Sequence, residues 1–251
     1  MPPTFSIITV TYNAERWLER TILSVLCQSY FGVEYIIIDG ESRDGTIDII
    51  KQYETGIASW ISEPDSGLYD AMNKGLRKAT GDYVLFLNAG DTFHTNDTLQ
   101  QVVGKISKRK TLPDIIYGET EIVSAEGLSL GQRRLKSPSR LTWKSFRMGM
   151  LVCHQSFFAK RSIAVEYDLQ YRFSADFDWC IKCLKQAKSI HNSRLIISNF
   201  LDEGMTTQNH KASLKERYNI MNKYYGWIST ALLHIWFAIR FYFAKWFRKR
   251  N

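Results

Sequence analysis

The stretch Phe5-Ser-Ile-Ile-Thr-Val-Thr-Tyr-Asn13 is a β-branched and aromatic run that ends in polar residues. This pattern predicts a buried strand followed by a loop. Apolar residues then recur at helical spacing from Glu15 to Gln28. The unit repeats, because a second strand pattern from Glu34 to Ile38 ends in Asp39-Gly40 and a helix pattern runs from about Thr46 to Tyr53.

The alternation continues with a short strand at Trp60-Ile61, a helix from Gly67 to Ala79, and an apolar strand from Tyr83 to Leu87. Alternating strands and helices predict an α/β fold with a mostly parallel sheet and helices on both faces. Ligands of such sheets bind at the carboxyl ends of the strands. Asn13, Asp39 and Asp91 fall at those ends.

The pattern is looser beyond Thr98, and no internal repeat or low-complexity linker interrupts it. We therefore predict one domain over residues 1–215 and a separate tail over 216–251. The second half is predicted to contain a helix to about Lys108, a strand at Ile115–Tyr117, a basic segment at Arg133–Arg147, a strand at Ser156–Phe158, and a helix with Asp176 and Asp178 that ends near Lys188.

Composition narrows the class of protein. The chain has 251 residues, 45% of them hydrophobic, which is enough for a substantial core. Its net charge of +8 favours an anionic partner, which could be nucleic acid, a phosphorylated small molecule or an anionic bilayer. We predict no nucleic-acid partner, since the basic clusters carry no nucleic-acid-binding motif. Four scattered cysteines and no signal peptide favour a reducing cytoplasm.

The tail differs from the rest of the chain, because Trp227 to Phe247 is almost wholly apolar and is followed by Arg248-Lys249-Arg250. The segment is long enough to span a bilayer. Arg240, Lys245 and the many aromatic residues favour an amphipathic helix lying in an anionic membrane interface. A span, packing against the domain, and pairing with a second copy in a homo-oligomer remain open.

The first two strand-end loops are suited to a nucleotide, since an aromatic ring can cover a base and carboxylates can accept from base N–H groups or ribose hydroxyls. No G-x-G-x-x-G and no P-loop is present, which excludes ordinary dinucleotide and triphosphate sites. The candidate residues are Thr11, Tyr12, Asn13, Asp39, Ser42, Asp44 and Gly45. Asp44 could alternatively cap the helix that follows it.

Three acids are candidates for chemistry. Asp91 closes an apolar strand in a polar turn, where a carboxylate could hold Mg²⁺ or Mn²⁺ against a diphosphate. Asn88 is a weaker ligand candidate. Asp176 and Asp178 are two residues apart on a predicted helix, so they point in different directions and only one can face a substrate as general base.

Four segments form an ordered set of motifs: Ser6–Asn13, Ile38–Thr46, Glu63–Gly75 and Gly81–Asp91. Together they resemble glycosyltransferase family 2, which has the GT-A fold. Weaker similarity continues through His154-Gln155, Ala175-Asp-Phe-Asp178 and Phe200-Leu-Asp-Glu-Gly204.

The resemblance implies a nucleotide-sugar-binding half over residues 1–98 and an acceptor-binding half over 99–215. Asp39 would contact the base, Asp65 and Lys74 the ribose or diphosphate, and the turn residues Asn88, Ala89 and Gly90 would line the donor site. Asp91 and His154 would hold the divalent cation, and Asp176 would be the general base. The family's metal motif is usually more acidic than this turn, in which Asn88 and Gly90 replace acids.

The implied function is inverting transfer of a sugar from a nucleotide diphosphate sugar, with a UDP-sugar favoured, to a saccharide acceptor. The basic aromatic tail suggests a lipid-linked acceptor at the cytoplasmic face of the inner membrane, in surface polysaccharide assembly. A catalytically inactive nucleotide-sugar-binding scaffold at the membrane is the alternative. Donor binding without turnover would distinguish this scaffold from an active transferase.

Overall fold

A computed structural model of the protein describes residues 2–202 and 210–248. For His210, Ala238 and residues 240–248 it describes the backbone only. Glu203 and Gly204, which belong to the last of the weaker similarities, lie outside the described residues.

The described residues form nine strands and seven α-helices. Strands β1 to β9 are Phe5–Thr11, Val33–Asp39, Ser59–Ser62, Tyr83–Phe86, Thr92–Phe93, Ile115–Val123, Ser129–Gln132, Phe157–Lys160 and Ile190–Leu201. Helices α1 to α7 are Leu18–Leu26, Thr46–Gln52, Leu68–Lys78, Thr98–Ile106, Ala175–Gln186, His210–Tyr225 and Trp227–Arg248.

All nine strands belong to one sheet, in the order β3-β2-β1-β4-β8-β6-β9-β5, with β7 paired to β6. The amino-terminal strands pair in parallel, and β1 lies between β2 and β4. The register places Thr11 beside Asp39, so the polar ends of β1 and β2 meet at one edge. The later strands add antiparallel pairs and one long parallel ladder between β6 and β9. The predicted α/β fold with a mostly parallel sheet is confirmed.

Strand β1 has no solvent-facing side, because all seven of its residues are buried. Ile8 and Val10 belong to the hydrophobic cluster that contains residues of α3. Phe5 and Ile7 belong to the cluster on the opposite face, which includes residues of α1 and α4. Side chains alternate across a strand, so a strand buried on both faces is mostly apolar at successive positions. The buried hydroxyl of Thr9 is accommodated because it donates to the Leu87 carbonyl at 2.7 Å.

Several boundaries differ from those predicted. Helix α1 is shorter than Glu15–Gln28, because Ala14 to Trp17 form a turn before it. Strand β6 extends past Tyr117 to Val123, and the long strand β9 was not predicted. The register between β6 and β9 shifts twice, and Arg194 in β9 has a positive φ of 59°. Polar residues around this irregularity conceal the strand pattern.

Asp44 does bind the start of α2, although it lies one residue before the N-cap Gly45. Its Oδ1 accepts hydrogen bonds from the Thr46 amide at 3.0 Å and from Thr46 Oγ1 at 2.5 Å. Its other oxygen accepts from the Glu15 amide at 3.1 Å. The carboxylate therefore ties the β1 loop to α2.

The tail forms α7, which packs against α6. Thr230 is fully buried, and Leu233 and Phe237 pack against the main hydrophobic cluster. Within the described part of the chain, no helix has both the length and the apolar character needed to cross a membrane.

Close packing of α3 on the sheet depends on Gly75. A Cβ there would overlap Ile8 Cγ2 and lie 3.3 Å from Ile38 Cγ1. We expect Gly75→Ala to lower the free energy of unfolding by roughly 1–2 kcal/mol, because overpacking outweighs the better helix propensity of alanine. Chemical denaturation measures the change.

Gly104→Ala on α4 is the matched control. A Cβ there would meet nothing within 4 Å. This variant should gain about 0.5–1 kcal/mol from helix propensity alone. Equal effects of the two substitutions would contradict the close approach of α3 to β1.

Candidate active site

The loop after β2 is built around Asp39, which is fully buried. Its Oδ2 accepts hydrogen bonds from the Ser42 amide at 2.9 Å and from Ser62 Oγ at 2.7 Å. Its Oδ1 accepts from Ser42 Oγ at 2.5 Å. These bonds give the loop a defined shape and leave one free lone pair, on Oδ1.

The loop after β1 is bonded to the loop after β2. The Asn13 amide donates to Ser42 Oγ at 2.8 Å, and the Arg43 amide donates to Asn13 Oδ1 at 2.9 Å. Asn13 has a φ of 47°, a conformation that asparagine tolerates better than most residues. Tyr12 remains 63% exposed beside this junction, so its ring face is open to a flat ligand such as a base.

Asp65 and Lys74 lie next to these loops. A Cβ on Gly40 would be 2.5 Å from Asp65 Oδ2, so this acid contacts the Asp39–Gly40 turn. Lys74 Nζ donates to the Pro64 carbonyl at 2.7 Å and pairs with Glu63 at 2.9 Å. Lys74 therefore holds the segment that carries Asp65, in addition to any contact with a ligand.

The turn after β4 buries Asp91, of which 4% is exposed. Its Oδ2 accepts a hydrogen bond from Gln155 Nε2 at 2.9 Å, and its Oδ1 accepts from the Leu201 amide at 3.1 Å. Burial raises the pKa of Asp91 to about 6, and these two hydrogen bonds and the positive charges of His154 and Arg20 offset only part of that rise. A nearby cation would relieve the cost of keeping this carboxylate ionised.

Gly90 allows this turn to form, since it has a φ of 101° that disfavours other residues. Its carbonyl accepts hydrogen bonds from Arg20 Nε and Nη2, and its amide donates to Thr21 Oγ1 at 2.9 Å. The turn is thus fixed to α1. The family's metal motif is usually acidic at this position, and the positive φ of this turn explains why a glycine occupies it here.

Asp176 lies in the first turn of α5, with 17% of its side chain exposed. Its Oδ1 accepts from the Phe177 amide at 2.9 Å and from Tyr69 Oη at 3.3 Å. Its Oδ2 lies 3.4 Å from His154 Nδ1. Burial alone would raise the pKa of Asp176, but the hydrogen bond and charge of His154, with the charge of Arg217, hold it below its ordinary value.

A single 3₁₀ turn, His154–Ser156, connects the two acids. His154 faces Asp176, and the next residue, Gln155, donates to Asp91. Ser156 Oγ anchors the turn through buried hydroxyl contacts of 2.7 Å with both Thr120 and Ser198. Sequence reasoning gave no role to Gln155 or Tyr69, although both lie in segments that carry the family resemblance.

Asp178 has different surroundings, as its spacing from Asp176 predicts. It is fully buried, with Lys182 Nζ at 2.6 Å and Tyr224 Oη at 2.8 Å. Lys223 Nζ is 3.4 Å away. These contacts join α5 to α6 and leave Asp178 a structural role. Helix α6 also supplies Arg217, a residue that sequence reasoning missed.

The donors around Asp91 are suited to a weakly held divalent ion. Among the described residues no group of three or more His, Cys, Asp or Glu side chains forms a metal cluster. However, Asn88 Oδ1 and His154 Nε2 are buried and lack a hydrogen-bond partner. One carboxylate with an amide oxygen and an imidazole nitrogen suits an ion that takes its other ligands from a substrate diphosphate.

The model of the family described as glycosyl transferase family 2 matches residues 6–167, more than half of the chain. The chain belongs to glycosyl transferase family 2. The predicted family and enzyme class are thereby confirmed. An uncharacterized glycosyltransferase of Mycobacterium tuberculosis is 34% identical over 186 residues, which are 72% of this chain and 68% of that protein. A PGL/p-HBAD biosynthesis glycosyltransferase of Mycobacterium bovis is 33% identical over 187 residues, with 72% and 70% covered.

Solved structures of glycosyltransferases share the fold. The chain matches S. aureus TarS in complex with UDP-GlcNAc with a TM-score of 0.69 and 20% identity, over 87% of this chain and 64% of that one. It therefore spans less than two thirds of the TarS structure. It matches the mannosyltransferase PcManGT of Pyrobaculum calidifontis, in complex with GDP-Man and Mn²⁺, with a TM-score of 0.62 and 15% identity, over 93% and 70% of the two chains. The GT-A prediction is confirmed.

The raised pKa of Asp91 predicts a stability cost for its ionisation. A carboxyl with a pKa near 3.8 when unfolded and about 6 when folded destabilises the folded state by roughly 3 kcal/mol above pH 6, and not at all below pH 3.8. With divalent ions removed by EDTA, Asp91→Asn should therefore raise the free energy of unfolding at pH 8. At pH 4 the variant and the wild type should be nearly equal. Denaturant titrations of both proteins at pH 8 and pH 4 measure the change. A loss of stability in Asp91→Asn at pH 8 would contradict the prediction.

The contact between His154 and Asp176 predicts a change in proton affinity. His154→Leu removes the hydrogen bond to Asp176 and the charge of the imidazole, and replaces the ring with an apolar side chain of similar size. Burial then dominates, so the pKa of Asp176 should rise. Carbon-13 NMR titration of the aspartate carboxyls measures it. His191→Leu, beside Arg109 at the start of β9, is the control and should leave Asp176 unchanged. An unshifted Asp176 in His154→Leu would show that the two side chains are not coupled.

Proposed function

We propose that this family 2 enzyme transfers a sugar from a nucleotide diphosphate sugar to a hydroxyl of a saccharide acceptor, with inversion at the anomeric carbon. One observation carries the proposal. The turn His154–Ser156 bonds to Asp91 through Gln155 and contacts Asp176 through His154. The acid suited to the leaving diphosphate and the acid suited to the acceptor are therefore held by adjacent residues.

The nucleotide would occupy the joined loops after β1 and β2. Tyr12 offers an exposed ring for the nucleotide base, and Asp39 Oδ1 keeps one lone pair that can accept from a base or ribose donor. Thr11, Asn13, Ser42 and Asp44 shape the two loops around it. The crystal complexes of TarS with UDP-GlcNAc and of PcManGT with GDP-Man support a nucleotide-sugar donor on this fold. We favour a UDP-sugar.

The reaction is a single displacement. The acceptor oxygen attacks the anomeric carbon and forms the new glycosidic bond, while the bond from that carbon to the diphosphate oxygen breaks. The electron pair leaves with the nucleoside diphosphate. Asp176 is ionised at neutral pH because its pKa is low, so it can take the proton of the acceptor hydroxyl. Attack from the face opposite the leaving group inverts the carbon.

Asp91, with Asn88 and His154, would hold a divalent cation, Mn²⁺ or Mg²⁺. Such an ion supplies charge neutralisation at the departing diphosphate. The Mn²⁺ in the PcManGT complex supports this assignment. Ala89 and Gly90 would place the backbone of the turn beside the same phosphates, and Asp65 with Lys74 would lie near the ribose.

The acceptor would be a lipid-linked saccharide in the assembly of bacterial surface glycans, at the cytoplasmic face of the inner membrane. The relative named for PGL/p-HBAD biosynthesis supports a surface-glycan role. A nucleotide-sugar-binding scaffold without turnover is the competing function. The general base Asp176 separates the enzyme from the scaffold, since a scaffold without turnover does not need a general base.

The test compares Asp176→Asn with wild type. Calorimetric titration with UDP, GDP and dTDP, with and without Mn²⁺, measures donor binding. Transfer is the incorporation of label from UDP-GlcNAc or GDP-mannose into an extract of bacterial lipids. We expect unchanged nucleotide affinity in Asp176→Asn and a loss of transfer of at least about 100-fold, the range of general-base catalysis.

Asp178→Asn is the matched control, because it changes a carboxyl on the same helix that is engaged by Lys182 and Lys223. This variant should lose stability but keep transfer per folded molecule. Full transfer by Asp176→Asn would remove that residue as the base. Nucleotide binding without transfer in wild type would favour the scaffold.

A further inference from the structure

From Trp227 to Ile239, helix α7 presents two apolar faces, and the described residues cover only one of them. Thr230, Leu233 and Phe237 are spaced as one helix face and are buried or packed on the core. His234 on this face contacts Tyr218 of α6, with ring centroids 4.9 Å apart. This packing fixes how the helix is rotated about its axis.

The opposite face is a stripe of large apolar side chains in water, which we name the α7 stripe. Its members are spaced four, three, one and three residues apart, as one helix face requires. Their exposed fractions are between 44% and 63%. The stripe consists of Ile228, Leu232, Ile235, Trp236 and Ile239. Trp227, the first residue of α7, is 70% exposed.

Isolated apolar side chains on a surface are ordinary, but a contiguous apolar stripe marks a binding surface. Charge identifies what binds here. The sequence after Trp227 contains five basic residues and no acidic one. They are Arg240, Lys245, Arg248, Lys249 and Arg250.

We propose that the α7 stripe docks on the surface of an anionic lipid bilayer, with α7 lying along the interface. Aliphatic side chains with tryptophan at a helix flank suit the boundary between head groups and acyl chains. The basic residues that follow would contact anionic head groups. Because the opposite face is packed on the protein, the helix enters the bilayer on one side only.

A second copy of the chain is the other occupant to consider. Pairing two stripes would bring two basic tails together without acids to neutralise them, and like charges in contact oppose association. An anionic bilayer supplies the missing negative charge. The observations therefore favour the membrane.

The proposal also places the active site relative to the membrane. Helix α6 packs against both α7 and α5, and Tyr224 of α6 donates to Asp178 of α5 at 2.8 Å. Asp176 is on the same helix α5. A docked α7 would thus hold the acceptor side of the site two helices from the lipid surface. Vesicle binding itself does not depend on the proposed function.

The test measures binding of the full chain to vesicles of phosphatidylcholine with 30% phosphatidylglycerol, and to vesicles of phosphatidylcholine alone. The double variant Leu232→Ser with Ile235→Ser shortens the stripe without touching the packed face. Each aliphatic side chain moved from water into the acyl region contributes roughly a tenfold change in partitioning. We expect about 100-fold weaker binding to anionic vesicles, and weaker binding of wild type as salt rises.

The matched control is Leu128→Ser with Leu130→Ser, which removes two equally exposed side chains, 67% and 59%, near β7. It should bind vesicles like wild type. Circular dichroism and thermal denaturation verify that both variants fold. Equal binding by both variants, or no preference of wild type for anionic vesicles, would overturn the proposal. So would a dimer, seen by light scattering, that the stripe variant converts to a monomer without any vesicle binding.

Discussion

The structure depends on the burial of β1 between β2 and β4. A parallel strand at this position has neighbours on both edges and helices on both faces, so none of its side chains reaches water. A mostly apolar run satisfies that constraint, provided that its few hydroxyls are hydrogen-bonded, as Thr9 Oγ1 is to the Leu87 carbonyl at 2.7 Å. Where the run ends, the chain leaves the sheet and enters a loop. Polar side chains are needed in this loop to bond its backbone groups. The same constraint that makes the strand apolar therefore collects Thr11, Asn13 and Asp39 at one edge.

This constraint also explains what the sequence could predict. Strands buried on both faces and helices with one apolar face have clear periodicities, so the elements from Phe5 to Asp91 could be located closely. The resemblance to family 2 covered the same region. Asp39 and Asp91 could be proposed because each follows a strand at the edge where ligands of parallel sheets bind. Asp176 could be proposed as the base only through the resemblance to family 2.

The rest of the site depends on contacts distant in sequence. Gln155 meets Asp91 across 64 residues, and His154 meets Asp176 only because the turn that carries it is fixed by buried hydroxyl groups. No local pattern encodes these pairs. Strand β9 was missed for a related reason, since Arg194 interrupts its alternation and its partner β6 compensates by register shifts. The role of Lys74 in holding Pro64 also follows only from coordinates.

The hydrogen bond from the Leu201 amide to Asp91 spans 110 residues. During synthesis, the nucleotide loops and the turn at Asp91 leave the ribosome long before β9 exists. Until β9 exists, the Asp91 carboxylate lacks that donor. The amino-terminal half can thus form its loops early, whereas the surroundings of its central acid are completed late. Completion of the chain to Leu201 supplies the later of the two residues that donate hydrogen bonds to Asp91.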